Sequence, residues 1–251
     1  MKIIRYEGAH GNKHHGTLNA NGSARKITGD VFGHFEVTEE PADVRRLVAP
    51  IVPTMIWCIG QNYRRHAAES GASAPELLII FAKGPDTLQD PQQPILIPTH
   101  LASGEIDYEG ELAVVIRRTC KNATRSDALD YVLGYTCAND VSARDWQIKR
   151  GGSQWCRGKA FDAFASMGPY LVTKDSIPDP NQLKIQTILN GTVMQDWTTS
   201  DMNFYVPTLI EFLCSSTTLL LGTVILTGTP HGVGMAQKPP RWLREGTRSA
   251  L

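Results

Sequence analysis

The stretch Ile106-Asp107-Tyr108-Glu109-Gly110-Glu111-Leu112-Ala113-Val114-Val115-Ile116 decides how this chain is read. Its last five residues are apolar and rich in β-branching, which predicts a buried strand, and residues two apart on a strand project from one face. Glu109 and Glu111 therefore point together at the mouth of an apolar strand. Carboxylates paired in that way repel each other and lose solvation, a cost that a bound dication removes. Asp140 stands at the end of the run Leu133-Gly134-Tyr135-Thr136-Cys137-Ala138-Asn139 and can close a carboxylate triad. Such an all-oxygen set suits a hard ion, Mg²⁺ or Mn²⁺ with Ca²⁺ as a further candidate, and its lack of histidine argues against zinc.

Outward from this segment, short apolar runs recur at residues 55–59, 77–82, 95–97, 112–116, 133–138, 170–173, 185–189 and 224–227. Asn190-Gly191 lies between two such runs and predicts a hairpin, because that dipeptide tolerates the positive φ angles of a two-residue turn. Helical stretches are predicted at residues 66–70, 126–132, 141–149 and, behind Pro207, 208–214. They do not alternate regularly with the strands, which argues against a doubly wound sheet and for an α+β fold rich in sheet. Residues 1–50 contain strand-like pieces broken by Gly11, Gly16, Gly22, Gly29 and Gly33, then a helical piece over 42–48 started by Pro41. They read as a small N-terminal module ahead of a catalytic domain over 51–251.

With 25 basic and 25 acidic residues among 251, the balance of charge offers nothing to nucleic acid or an anionic membrane surface. Neither an apolar signal segment nor a stretch long enough to span a bilayer stands in the sequence, so a soluble cytoplasmic protein is expected. The five cysteines are scattered without a Cys-x-x-Cys pair and read as reduced, mostly buried thiols. Gly228-Thr229-Pro230-His231-Gly232-Val233-Gly234 has neither the Gly-Lys-Ser/Thr ending of a phosphate loop nor the dinucleotide glycine order, and no Gly-x-Ser-x-Gly elbow is present.

Three further segments carry candidate chemistry. His66 and Glu69 are three apart, so on a helix the carboxylate can orient the imidazole as a general base. Taken alone, that spacing fits a solvated surface pair better. Arg144 and Gln147 lie four and seven residues beyond Asp140, and a helix starting there would turn all three to one side. Arg144 could bind a substrate carboxylate, anchor the metal ligands or simply lie at the surface. Lys159 follows a polar, Gly-rich loop, where an ammonium either neutralises a developing enolate or is solvated.

Together the segments resemble the fumarylacetoacetate hydrolase family, in its short-chain acylpyruvase and fumarylpyruvate hydrolase-like branch, over roughly residues 53–246. The resemblance rests on Ile59-Gly60-Gln61-Asn62-Tyr63 with His66, Phe81-Ala82-Lys83, Asp107-Tyr108-Glu109-Gly110-Glu111-Leu112, and Asn139-Asp140-Val141-Ser142-Ala143-Arg144-Asp145. It continues through Lys159-Ala160-Phe161-Asp162, Gly168-Pro169, Asn190-Gly191, Gln195 and Thr227-Gly228-Thr229-Pro230-His231-Gly232-Val233-Gly234. It implies a mixed β-roll with short flanking helices, which dimerises. It implies that Glu109, Glu111 and Asp140 are metal ligands, that Lys159 is the active-site lysine, and that His66 and Glu69 form a dyad on a lid. Arg144, Gln147, Gln195 and Thr229 match positions in or beside the substrate site. Gly222-Thr223 stands where Gly-Asp is more usual, and the sequence stops soon after Leu243 where relatives continue, so a domain shortened at its C-terminal end is expected.

The function expected from these residues and the resemblance is a Mg²⁺- or Mn²⁺-dependent hydrolase that cleaves a C–C bond in a 2,4-dioxo acid of the acylpyruvate or fumarylpyruvate type. The substrate would chelate the ion and leave as an enolate, with His66 activating water. Oxaloacetate decarboxylation, keto–enol tautomerisation and isomerisation of an unsaturated 2-oxo dicarboxylate pass through the same intermediate and are the alternatives. A metal-stabilised scaffold without activity is a further one. The expected partners are a small 2-oxo acid and a second copy of the chain.

Overall fold

The computed structural model describes residues 1–152 and 154–251. Gly110–Ile116 is buried at every position and lies near the middle of a large mixed sheet. The sheet runs, edge to edge, through Phe35–Pro41, Ala24–Gly29, Lys13–Leu18, Lys2–Glu7, Leu171–Thr173, Val132–Asp140, Gly110–Ile116, Val224–Leu226, Ile56–Gly60 and Ile79–Lys83. Neighbours along this path are antiparallel except Val224–Leu226 with Ile56–Gly60, which are parallel. The leading residues join the same sheet, with Lys2 opposite Val172 and Ile3 opposite Leu171. The sheet-rich α+β class expected from the sequence is the class observed.

Alternation along the central strand divides the core in two. Leu112, Val114 and Ile116 pack with Leu209, Ile210 and Leu213 of the helix Val206–Ser216. Ala113 and Val115 face the other way, among Cys58, Phe81, Ala138 and Leu226. Each fully buried side chain of this size contributes about 1.5–3 kcal/mol, so a slip of one residue, which would exchange the two faces, is strongly disfavoured. Glu109 and Glu111 share the parity of Ala113. Because Glu111 lies opposite Ala138, Asp140 shares that face too.

The hairpin forms where Asn190-Gly191 predicts it: Leu189 pairs with Thr192, and the turn residues have φ of 50° and 80°. Ser249–Ala250 adds a third strand against Ile188 and Leu189. Cys58, Cys120 and Cys214 are buried, Cys137 and Cys156 are exposed, and all five are free thiols.

Three local expectations are corrected. The helix expected at 42–48 is replaced by the strand Arg46–Val48, paired with Arg5, Tyr6 and Glu7, because an available sheet edge outweighs weak helical propensity. Arg46 is held there by Glu7 at 2.9 Å and Asp90 at 2.7 Å. No strand forms at 95–97, where Pro94 and Pro98 bracket the run and deny it ladder donors, and Leu96 and Ile97 remain exposed. The helix expected at 141–149 is instead a short strand, Ser142–Ala143, pairing with Ile106–Asp107, followed by a π-helical turn over Asp145–Arg150.

Candidate active site

Glu109, Glu111 and Asp140 each offer an oxygen to a common point, these atoms lying within 4.8 Å of one another. Cross-strand pairing builds the cluster: the Asp140 N–H donates to the Glu109 carbonyl at 2.9 Å, and the Glu109 N–H donates to Asn139 Oδ1 at 3.0 Å. Glu111 accepts the Gly228 N–H at 2.7 Å, which ties the cluster to the Gly-rich turn.

Cations surround these carboxylates. Lys159 Nζ donates to Glu109 Oε2 at 2.6 Å and Asp140 Oδ2 at 2.8 Å. Arg144 reaches Asp107 through Nε at 2.9 Å, Gln147 through Nη1 at 2.9 Å and Glu109 through Nη2 at 2.6 Å. Lys83 lies 2.8 Å from Asp140 Oδ1 and donates to the carbonyls of Val141, Phe164 and Lys159. Burial pushes the Glu109 carboxyl up, but Lys159 and Arg144 outweigh it and hold it well below the ordinary value. Glu111 goes the other way: burial, then the neighbouring Asp140 and Glu109 carboxylates, raise it well above 4.5. Burial opposes charge on Lys159 and Arg144, yet their carboxylate partners prevail and keep both firmly cationic.

The triad fits a hard divalent ion. Its donors are all carboxylate oxygens, Glu111 is held as an anion only at a cost, and buried Asp140 Oδ1 has no partner at good hydrogen-bond geometry.

His66 and Glu69 come from the short helix Arg64–Glu69, with Nδ1 2.8 Å from Glu69 Oε1. The Glu69 carboxylate accepts the Gly232 N–H at 2.9 and 3.1 Å, so the dyad is moored to the same Gly-rich turn as Glu111. His66, Glu109, Glu111, Arg144, Gln147, Lys159 and Thr229 line one cleft together with Ile59, Gly60, Gln61, Phe81 and Trp155.

Gln195, expected in or beside the substrate site, stands behind Thr229 of the cleft lining. Its amide is used up within the protein: Oε1 accepts from the Gly110 N–H at 3.0 Å and the Thr187 hydroxyl at 2.7 Å, and Nε2 donates to Thr229 Oγ1 at 2.8 Å and the Pro230 carbonyl at 2.7 Å. Thr229 lines the cleft and donates its own hydroxyl to the Gly110 carbonyl at 3.0 Å. Gly110 is thus clamped between Glu109 and Glu111 from both its N–H and its carbonyl.

Asp107 and Lys83 stand in the family-like segments but carried no expected role. Asp107 accepts from Arg144, and also from the backbone N–H groups of Tyr108, Gly234 and Met235 at 2.7–3.1 Å. Its signal was available, since 107, 109 and 111 alternate. Lys83 ends the apolar strand Ile79–Lys83, where a lysine ordinarily reaches solvent.

Residues 55–249 match the family described as Fumarylacetoacetate (FAA) hydrolase C-terminal. The chain belongs to the fumarylacetoacetate hydrolase family. It is 48% identical over 201 residues to a mitochondrial oxaloacetate tautomerase of Xenopus laevis, covering 80% of this chain and 62% of that protein. It therefore spans less than two thirds of that relative's length. Among solved structures of the family fold, a 5-carboxymethyl-2-hydroxymuconate delta-isomerase from Mycobacterium smegmatis superposes with a TM-score of 0.85 at 35% identity, covering 99% of this chain and 93% of that one. A fumarylacetoacetate hydrolase from Exiguobacterium antarcticum gives 0.88 at 33%, covering 99% and 94%. Among the described residues no helix is long and apolar enough to cross a membrane.

Proposed function

We propose that this protein is a divalent-metal-dependent enzyme that interconverts the keto and enol forms of a 2-oxo acid, with an oxaloacetate-like compound as substrate. The observation that carries the reading is that His66, paired with Glu69, lines the same cleft as Glu109 and Glu111 of the carboxylate cluster. With Nδ1–H given to Glu69, the imidazole keeps its lone pair on Nε2, the form of a general base. Nε2 takes a proton from the carbon next to the 2-oxo group, and the C–H electrons become the C=C bond of the enol. Glu69 holds the tautomer and stabilises the imidazolium, which then returns the proton to oxygen. The reverse sequence regenerates the ketone. Glu109, Glu111 and Asp140 are the residues to hold Mg²⁺ or Mn²⁺, which when bound would supply Lewis-acid stabilisation of negative charge on the substrate's oxygen. Lys159 and Arg144 fix the orientation of Glu109, and Thr229 lines the cleft above Gly110. The 48% identity to an oxaloacetate tautomerase supports this choice among the reactions that share an enolate.

The hydrolase expected from the sequence is the second reading, favoured by the likeness to the Exiguobacterium antarcticum enzyme. There the same base takes its proton from water, which attacks the distal carbonyl of a 2,4-dioxo acid. Following enol absorbance of oxaloacetate with ion-stripped protein, before and after adding Mg²⁺ or Mn²⁺, separates the two. Metal-dependent conversion with the acid recovered intact supports the tautomerase. Two acid products from acetylpyruvate, with oxaloacetate untouched, would overturn it in favour of the hydrolase, and release of carbon dioxide would overturn both.

A further inference from the structure

The polar residues of the cleft account for the head of a 2-oxo acid, and Ile59, Phe81 and Trp155 give the lining an apolar wall. The cleft is narrow, with a cavity volume of about 30 Å³, far below the roughly 300–1,000 Å³ of sites for drug-sized ligands. Trp155 is the bulkiest side chain on that apolar wall. Its six-membered ring lies directly over Gly60, where an added Cβ would come within 2.3 Å of the indole. On its other side it meets Phe81 edge-on, ring centres 5.7 Å apart at 61°.

The indole has little room to retreat. It opens the short helix Trp155–Lys159, so Trp155 and Lys159 stand four apart on one helical face. Lys159 pins the far end through Glu109 and Asp140. Gly158 is pressed so closely on Gln147 that a Cβ there would lie 2.5 Å from the Gln147 backbone nitrogen. Moving the indole outward therefore means moving the lysine that organises the carboxylates.

We propose that Trp155 is the specificity-determining side chain of this cleft, closing it to 2-oxo acids with long substituents and leaving it open to compact ones of about pyruvate or oxaloacetate size. The inference rests on the 2-oxo acid reading of the site. It assigns Trp155 a role in choosing substrate length and none in proton transfer.

The test is calorimetric titration of pyruvate and of 2-oxooctanoate into Mg²⁺-saturated protein, for the natural chain, Trp155→Phe and Trp155→Ala. The natural protein is expected to bind pyruvate and to bind 2-oxooctanoate at least about 10-fold more weakly, since each excluded methylene is worth about 10-fold or more. Trp155→Ala should narrow or reverse that ratio, with Trp155→Phe between the two. Thermal melts identify a variant that fails to fold, and the Phe variant then carries the comparison. If pyruvate binds and the ratio is the same in all folded variants, or the natural protein takes the long acid as well as the short one, the assignment to Trp155 is wrong. If neither acid binds any form, the 2-oxo acid reading falls and the inference with it.

Discussion

Glu111 and Asp140 stand on two paired strands near the middle of the sheet, with Glu109 one residue ahead of the first, whereas His66 and Glu69 stand on a six-residue helix that no side chain caps. On the carboxylate side four acids (Asp107, Glu109, Glu111, Asp140) face three cations (Lys83, Arg144, Lys159), all buried. On the histidine side one carboxylate holds the imidazole, and one backbone N–H holds that carboxylate. Stability and chemistry are thus distributed unequally around the cleft. A buried ion network is costly to break because the partner left behind is an uncompensated charge, while a lightly held dyad can be altered with the fold intact.

The sharpest way to break that comparison is at Lys83. Lys83→Met leaves Asp140 without a counter-charge and three backbone carbonyls without their donor, and is expected to cost about 3–5 kcal/mol of stability in urea unfolding. A loss below about 1 kcal/mol would show that the network relaxes rather than frustrates.

His66→Asn should do the reverse. Turnover falls by about 10²–10⁴-fold as the base is removed. Urea unfolding should register no more than about 1.5 kcal/mol, the net worth of a hydrogen bond. Comparable damage to stability and rate would erase the contrast between the two sides.

Gln195→Leu addresses the clamp between them. It strands the Gly110 N–H and the Pro230 carbonyl in the interior, at about 1–3 kcal/mol. Because Gly110 lies between Glu109 and Glu111, Mg²⁺ binding measured by calorimetry should weaken as well. Unchanged metal affinity would confine Gln195 to holding the fold.

The smallest effect is in pH dependence. A carboxyl raised in the folded state keeps its proton longer there, so its contribution is complete below the unfolded value and lost as pH rises through the folded one. For Glu111 this means that ion-free protein loses stability as pH climbs above 4.5. Glu109 is lowered, so its contribution is lost below 4.5, and the two windows do not overlap. Glu111→Gln should flatten the upper limb in ion-free melts. In the natural protein the rise in Tm on adding Mg²⁺ should grow with pH, as the ion replaces a proton. A Tm shift independent of pH would mean that Mg²⁺ binds elsewhere.

Much of the site was legible because its residues are close in sequence. Glu109 and Glu111 follow from a period of two, His66 and Glu69 from a separation of three on a helix. Arg144 and Gln147, also three apart, do meet at 2.9 Å, on a π-helical turn and its flank rather than on the helix expected from Asp140. What stayed hidden depends on partners far along the chain. Lys83 meets Asp140 across 56 intervening positions, Gln195 bonds Gly110 across 84, and Trp155 packs on Gly60 from a separate element.

The sequence by itself determined the strand alternation, the carboxylate pair, the hairpin at Asn190-Gly191 and the family. Those are local patterns, set by which faces of a strand or helix can be buried and by which turns glycine and asparagine allow. Only the tertiary structure decided that residues 46–48 extend a sheet, that Lys83 is a buried counter-charge, that Gln195 is a clamp and that Trp155 narrows the cleft. Each of these depends on a neighbour supplied by the fold, and a side chain's environment, rather than its type, settles whether it is solvated, paired or packed.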